Sequence, residues 1–444
     1  MRECRYGQTI SDSRVTSVNR NGGGDVTTFR EPALQESHAV IWSTFQSRNY
    51  RIWYPVQLLT LCSNWLFMVG ANWVLYEKTL SSAALGMLTF AMMIPSAVCM
   101  LPAGVVIDRA SRKRVLQYVQ AVLLLQGGTL TYLAATGALA VIHLFGFAVI
   151  FGVANAFYAP ARHAFVADLI NDRSHLPQAV AFNSLAFNLA RIGGPAIGGV
   201  LLAYGGPTGC FGVYTAGMAL ALVGLRWIRF PWTADRPPET SLWTSLREGL
   251  RFAWRHRRVR YLLAWVVGSA LFGAGNLSLL PAYAAEILHY GASGYGGMYT
   301  LIGVGAMFGA LGVAGTYRRI HRPVRWIQIG VALIPLGMSG LGMRPSVPVV
   351  FVLLILIGLG FAIQFALTNS TIQMTVQDRM RGRIMSLYTL LFFGTTALGG
   401  AMAGHMAAIM GIPRWLILSG GFGLFLQGWI RMGLRHASVE GTEI

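Results

Sequence analysis

The sequence predicts an all-α membrane protein with twelve transmembrane helices in two pseudo-symmetric six-helix bundles. Three observations carry that expectation. The first is composition. Of the 444 residues, 54% are hydrophobic and 11% are charged, against about 25% charged in an ordinary soluble domain. Mean hydropathy is +0.53. So few charges cannot cover the surface of a water-soluble fold of this length. The second is segmentation into twelve apolar runs, most near the roughly twenty residues that a helix needs to cross a bilayer core. The third is charge placement. The net charge of +19 falls in short gaps between the runs, as membrane topology produces. That placement argues against nucleic acid as the partner.

The elements follow in chain order. Residues 1–45 are largely polar, include Gly22, Gly23 and Gly24, and lack the apolar core of a signal peptide. They read as a disordered cytoplasmic tail. An N-terminal six-helix bundle, 46–225, takes spans 53–76, 81–105, 115–136, 139–159, 178–203 and 208–225. A cytoplasmic linker, 226–260, carries SLWTSLREGLRFAWRHRR. There Leu242, Leu246, Leu250 and Trp254 recur every four residues with arginines between them. This is the pattern of an amphipathic helix on the inner membrane face, serving as a tether or as a regulatory site. A C-terminal bundle, 261–435, takes spans 261–285, 294–315, 326–343, 346–368, 385–408 and 411–430. Residues 436–444 are a second cytoplasmic tail.

With both termini in the cytoplasm, only Lys78, Arg344 and Arg414 lie outside. Arg191 lies within a span, and every other basic residue faces inward. That asymmetry supports this orientation of a multi-pass membrane protein. Cys4, Cys62, Cys99 and Cys210 show no paired spacing, so neither a disulfide nor a metal site is expected. The halves also echo each other. YEKTLSSAALGMLTF follows span one and AEILHYGASGYGGMYT follows span seven, with Glu77 and Glu286 at matching positions. PARHAFVADL after span four is echoed by TNSTIQMTVQDRMRGR after span ten. Paired halves point to a transporter with a central site between them.

The gap between spans two and three, PAGVVIDRASRKRVL, carries chemistry. Gly104 permits close helix approach. Asp108 ends span two, where a carboxylate opposes the helix dipole and calls for partners. Arg109, Arg112, Lys113 and Arg114, or the N-terminus of another helix, can supply them. Such a cluster can latch one end of the protein. A plain positive-inside loop explains the cations but not Asp108.

This stretch resembles the loop-two-three signature of the major facilitator superfamily, G-x-L-A-D-R-x-G-R-K. Asp108, Arg109, Arg112 and Lys113 match its charged positions, while Val106, Ile107 and Ser111 depart from it. The resemblance runs from about residue 45 to 435. The matching gap in the second half, GTYRRIHRP, keeps cations but has no aspartate. APARHAFVADLI, LPQAVAFNSLAFNLARIGGPAIGGVLLAYGG and RGRIMSLY resemble the bacterial exporter branch that includes enterobactin exporters and macrolide efflux pumps. GGPAIGG resembles the antiporter motif of drug–proton exchangers. Gly194, Pro195, Gly198 and Gly199 match its core, and Ala190 stands where the motif has a leading glycine. Proline removes one helical hydrogen bond and glycines allow tight packing, so the stretch reads as a hinge or as a packing face. The family's proton-linked arginine of span four is missing from LAVIHLFGFAVIFGVANAFYA.

Arg191 lies about thirteen residues into span five, near mid-depth at about 1.5 Å per residue. A charge there normally faces protein or a water-filled cavity. Ser184, Asn188 and Arg191 share one helix face. Either Arg191 attracts an anionic or electron-rich group of a substrate, or it binds carbonyls of another span. Asn276 and Gln364 are further candidate cavity residues. Glu77, Glu286 and His405 are the candidate proton carriers, the histidine because it titrates near neutrality. No G-x-x-x-x-G-K-S/T loop is present. The expectation is a non-enzymatic secondary transporter without cofactor or metal. It exports a hydrophobic or amphipathic small molecule, a drug or siderophore, by alternating access with proton antiport. An importer of the same fold, or a non-transporting sensor or assembly partner, is the alternative. The sequence leaves the substrate, the coupling ion and the oligomeric state open.

Overall fold

A computed structural model describes residues 43–170, 175–229, 242–316 and 323–439. The expected tails at 1–42 and 440–444, part of the linker, and most of GTYRRIHRP lie outside the described residues. Among the described residues the chain is all-helical. Nine of its helices are long and apolar enough to cross a membrane.

Helix α1 spans Arg48–Thr79 and α2 spans Ser82–Arg109. The turn between them is set by local chemistry. Leu80 takes a left-handed conformation (φ 47°) that ends α1. The Ser81 hydroxyl then accepts from Ala84 N at 3.2 Å, satisfying a backbone donor at the start of α2. Helix α3 spans Arg112–Ala135 and α4 spans Val141–Asp168. Helix α5 runs Leu176–Trp227, 52 residues. At 1.5 Å per residue that is about 78 Å, more than twice a bilayer core of about 30 Å. It is broken at Gly206, whose φ of 61° and ψ of −167° suit glycine and few other residues. The expected spans five and six are therefore the two arms of α5. Pro195 does not interrupt the helix; Gly206 does.

Helix α6 spans Leu242–Arg255 and α7 spans Arg257–Ser269. Span seven was expected as one regular helix to 285. Instead the backbone winds through π and 3-10 turns from Ala270 to Ile287. The change begins where the chain meets the last transmembrane hairpin. A Cβ on Gly275 would lie 2.4 Å from Gly399 C, and one on Gly399 2.4 Å from Leu271 O. Uneven turns bring these two backbones together. Helices α8 (Ala292–Thr316), α9 (Pro323–Gly342), α10 (Val347–Thr375), α11 (Asp378–Met410) and α12 (Ile412–Val439) complete the described chain.

Successive helices alternate in direction, so their ends gather at two poles. One pole holds Arg109, Arg112, Asp168, Arg229, Arg260 and Arg383, and is arginine-rich. The other holds Glu77, Gly137, Gly206, Glu286 and Gly411. Helices overrun the expected spans mainly at the arginine-rich pole: α2 reaches Arg109, α4 reaches Asp168 and α10 reaches Thr375. A count of apolar residues ends at the hydrocarbon boundary, but helical hydrogen bonds continue beyond it.

Within the N-terminal half, α1 packs on both arms of α5, α2 on α4 and α3 on the second arm of α5. Aromatic contacts fill the interior, with Phe67 against Phe151 at 4.6 Å and Tyr214 at 5.7 Å between centroids. In the C-terminal half α10 packs between α8 and α9, and α9 reaches α12. Lipid is as apolar as leucine, so close packing and interhelical hydrogen bonds hold such helices together. Helix α6 turns Gly249 and Ala253 inward and leaves Leu250 and Trp254 exposed beside the exposed Arg247, Arg251 and Arg255. Its Glu248 pairs with Arg383 at the start of α11.

Candidate functional site

The two halves of the chain meet along two seams, α2 with α11 and α5 with α8. Both are tight toward the Glu77 pole. On the first, a Cβ on Gly86 would stand 2.3 Å from Gly400 O and 2.9 Å from Gly404 Cα. On the second, a Cβ on Gly296 would stand 2.4 Å from Pro195 O, and one on Gly199 2.8 Å from Ala292 O. Only hydrogen fits between these backbones. Side chains close the same pole. Tyr76 Oη donates to Glu286 Oε1 at 2.9 Å. Trp73 stacks on Tyr295 at 5.8 Å.

Below this closure the seams part. Arg191 sits at the branching point. Its carbonyl is 2.8 Å from where a Cβ of Gly303 would be, and Thr300 Oγ1 donates to Ile192 O at 3.1 Å. The face of α5 that touches α8 at Pro195 and Gly199 continues downward as Arg191, Asn188 and Ser184. There Ser184 is exposed and Asn188 is half-buried. Their side chains bond only to their own helix, Ser184 Oγ to Val180 O at 3.0 Å and Asn188 Nδ2 to Ser184 O at 2.9 Å. Arg191 is half-buried. Among the described residues it makes no hydrogen bond or ion pair, and its electrostatic neighbour is the Tyr299 phenol. Tyr299 lies 5.8 Å from Trp65 between ring centroids. The arrangement is an unpaired guanidinium beneath an aromatic roof, above a polar strip of helix. It can hold an anionic or electron-rich group by charge-assisted hydrogen bonds and an apolar body against the rings.

Other expected residues fall elsewhere. Asn276 is 2% exposed. It donates to Phe272 O at 2.7 Å and Ser419 Oγ at 2.8 Å, and accepts from Trp415 Nε1 at 2.8 Å. Its polar atoms tie the irregular stretch to α12 rather than facing the cleft. Gln364 is 0% exposed and donates to Trp265 O and to Ser269 Oγ, which binds α10 to α7. Gly194 and Gly198 face α1 at Trp65 and Val69, and Gly199 faces α8, so the antiporter-like stretch packs on two neighbours at once. Glu77 is exposed and accepts from Trp73 Nε1 at 2.7 Å, on its own helix. Glu286 reaches across to the other half. His405 is exposed on α11 beside the seam residue Gly404.

The charged cluster is distributed differently from the expected latch. Asp108 and Arg109 are exposed, Asp108 has no ion pair among the described residues, and no atom lies within 4 Å of a Cβ built on Gly104. Arg112 instead pairs with Asp168 at the end of α4. Lys113 donates to Ile228 O, capping the end of α5. Burial holds the Lys113 ammonium below the usual lysine range, and the nearby Arg226 adds to the effect.

Two residues escaped the sequence reading, Asp168 and Arg162. Both lie beyond position 159, where the expected span four ended. A signal existed: Tyr158, Arg162, Phe165 and Leu169 continue one helix face past that limit. Arg162 is buried on it.

The transmembrane secretion effector family model matches residues 39–443. The multidrug efflux pump Tap of Mycobacterium tuberculosis is 26% identical over 378 residues, 80% of this chain and 86% of Tap. The enterobactin exporter EntS of Escherichia coli is 30% identical over 256 residues, 58% of this chain and 60% of EntS. Among solved structures, a bacterial homolog of the human lysosomal transporter Spinster, inward-facing and unoccupied, superposes with a TM-score of 0.70. That match is 14% identical and covers 88% of this chain and 97% of the other.

Proposed function

This chain belongs to the transmembrane secretion effector family of the major facilitator superfamily, a family of membrane transporters rather than enzymes, and we propose on that premise that it exports an amphipathic small molecule bearing an anionic or electron-rich group. Splitting α5 at Gly206 and adding α3 and α12 raises the nine membrane-long helices to twelve. The reading is two six-helix bundles that rock about a central cleft, in a bacterial inner membrane, with both termini and the arginine-rich pole in the cytoplasm. The structure then corresponds to a state closed outside and open inside, ready to load from the cytoplasm.

Arg191 carries the proposal. It is an unpaired cation at the apex of the cleft, and low-dielectric walls focus its field on incoming ligands. Relatives that pump drugs and export a siderophore support a substrate of this kind. Protons are the proposed driving ion. Of the three carrier candidates Glu286 is favoured, because its bond to Tyr76 joins the halves at the outer closure. Protonation from outside weakens that acceptor and helps the pole to open. In proteoliposomes, Arg191→Ala lowers affinity for a catecholate siderophore while the protein keeps its melting temperature. Arg191→Lys recovers part of it, because charge returns without the two-pronged donor. A destabilised alanine variant with normal affinity per folded molecule would make Arg191 a structural clamp and end the proposal.

A further inference from the structure

Among the described residues Arg162 is a second arginine without a carboxylate, and the transport cycle above does not use it. It lies on α4 inside the N-terminal half, 5% exposed. Nη1 donates to Asn183 Oδ1 on α5 at 2.9 Å, and Nη2 lies 3.0 Å from His163 Nε2. The amide carries no charge, and an accepting imidazole nitrogen carries no proton. The nearest chain carboxylate along α4, Asp168, is held by Arg112. Arg162 Nε has no hydrogen-bond partner among the described residues.

Two more buried polar atoms stand unpaired in the same layer. Tyr158 Oη, one turn earlier on α4 and 3% exposed, is one. Gln57 Nε2 on α1, in a side chain 1% exposed, is the other. Contacts on either side fix the register of α1 against α4. Trp53 meets Phe165 at 5.0 Å between ring centroids. Thr60 meets Tyr158. The helices run in opposite directions, so Gln57 falls level with Arg162 between these two contacts. All three groups can donate, and the Tyr158 hydroxyl can also accept. One is charged, and among the described residues nothing opposite it is.

We propose that Arg162, Tyr158 and Gln57 together hold a halide-sized monovalent anion between α4 and α1. Water accounts for the layer less well. Each water that accepts from these donors brings protons of its own, and the acceptors left for them are Tyr158 Oη and Gln120 Oε1, the latter on the amide that donates to Thr60. Water also leaves the guanidinium charge uncompensated in a medium that penalises it heavily. A spherical anion accepts from several donors at once, needs no acceptor in return and neutralises the charge. This site is separate from the cleft and does not depend on the export reading.

The test uses the full purified chain in detergent, melted in potassium gluconate, chloride and bromide at one ionic strength. Chloride and bromide give a saturable rise in melting temperature that gluconate does not, as a ligand of the folded state must. Arg162→Gln abolishes the rise. Tyr158→Phe removes one oxygen, keeps the fold and raises the half-saturating halide concentration about 10- to 150-fold, the loss of one donor to a charged ligand. Arg191→Ala leaves the rise intact. Equal melting of the wild type in all three salts would overturn the site, and so would a halide response that survives Arg162→Gln or disappears with Arg191→Ala. If Arg162→Gln does not fold, an unchanged halide titration in Tyr158→Phe refutes it alone. Because no transport is measured, failure here leaves the export reading untouched.

Discussion

Replacing Gly86 with alanine should shift the protein toward the state open at the Glu77 pole. The added Cβ would stand 2.3 Å from Gly400 O, 2.9 Å from Gly404 Cα and 3.1 Å from Gly400 C. All three are backbone atoms, so no flexible side chain can move aside. Ordinary contact begins near 3.4 Å, so α2 and α11 must draw apart by about 1 Å in a close-packed seam. Overpacking of this kind costs about 1–3 kcal/mol. The penalty falls on the closed seam and is relieved where the seam opens. An equilibrium displaced by that energy moves by about 5- to 150-fold. The assay is labelling from outside intact cells with a membrane-impermeant maleimide. The target is Thr300→Cys in a background without the native cysteines. Thr300 lies on the other seam, donating to Ile192 O, so it reports whether the halves move as units. The expected result is faster labelling by a factor in that range. An unchanged rate in a protein that remains folded would show that the Gly86 seam is not a rocking contact.

Three further expectations follow from the same geometry. Asp168→Asn should lower stability by about 1.5–3 kcal/mol, the range for a hydrogen bond to a charged group, while Asp108→Asn leaves the melting temperature unchanged, because only Asp168 is paired; equal effects in thermal melts would contradict this. Tyr76→Phe and Glu286→Gln each weaken the 2.9 Å bond across the outer pole, and both should raise labelling at Thr300→Cys by about fivefold, as expected for the loss of roughly 1 kcal/mol; labelling that responds to neither excludes the bond as a closure. A reporter fused after Arg258 should act as cytoplasmic and one beside Lys78 as external, and the reverse pattern would invert the assignment of the poles.

What could be read in advance followed from how local each signal is. Arg191 stands out in any linear scan, since a charge inside an apolar run has few explanations. The polar strip through Ser184 and Asn188 needs only helical spacing. The glycine seams were half legible. The small residues were visible, but their assignment to α1 or α8 depends on partners about 100 or more residues away. Asn276 and Gln364 were placed in the wrong surroundings for the same reason. Their partners Ser419 and Ser269 are 143 and 95 residues distant, and no pattern near either residue announces them. Arg162 and Asp168 were passed over because hydropathy marks where the membrane ends, not where a helix ends. Conformation was beyond reach altogether. Asp108 looked partnered because cations follow it at once in sequence, whereas in the structure it is exposed and without an ion pair among the described residues.

The unequal build of α1 and its counterpart after α7 has a mechanical consequence. Tyr76 rides on a regular 32-residue rod, while Glu286 rides on turns that switch between wide and tight winding. A rod transmits displacement along its length. A segment with mixed hydrogen-bond registers can take up the same displacement by exchanging one register for another. When the poles trade places, strain should therefore collect in 270–287 and spare 48–79. On the proposed rocking of the halves, α1 then acts as a lever arm and 270–287 as a spring. Backbone amides in the spring should exchange with solvent deuterium faster than those of the lever, and more so under turnover.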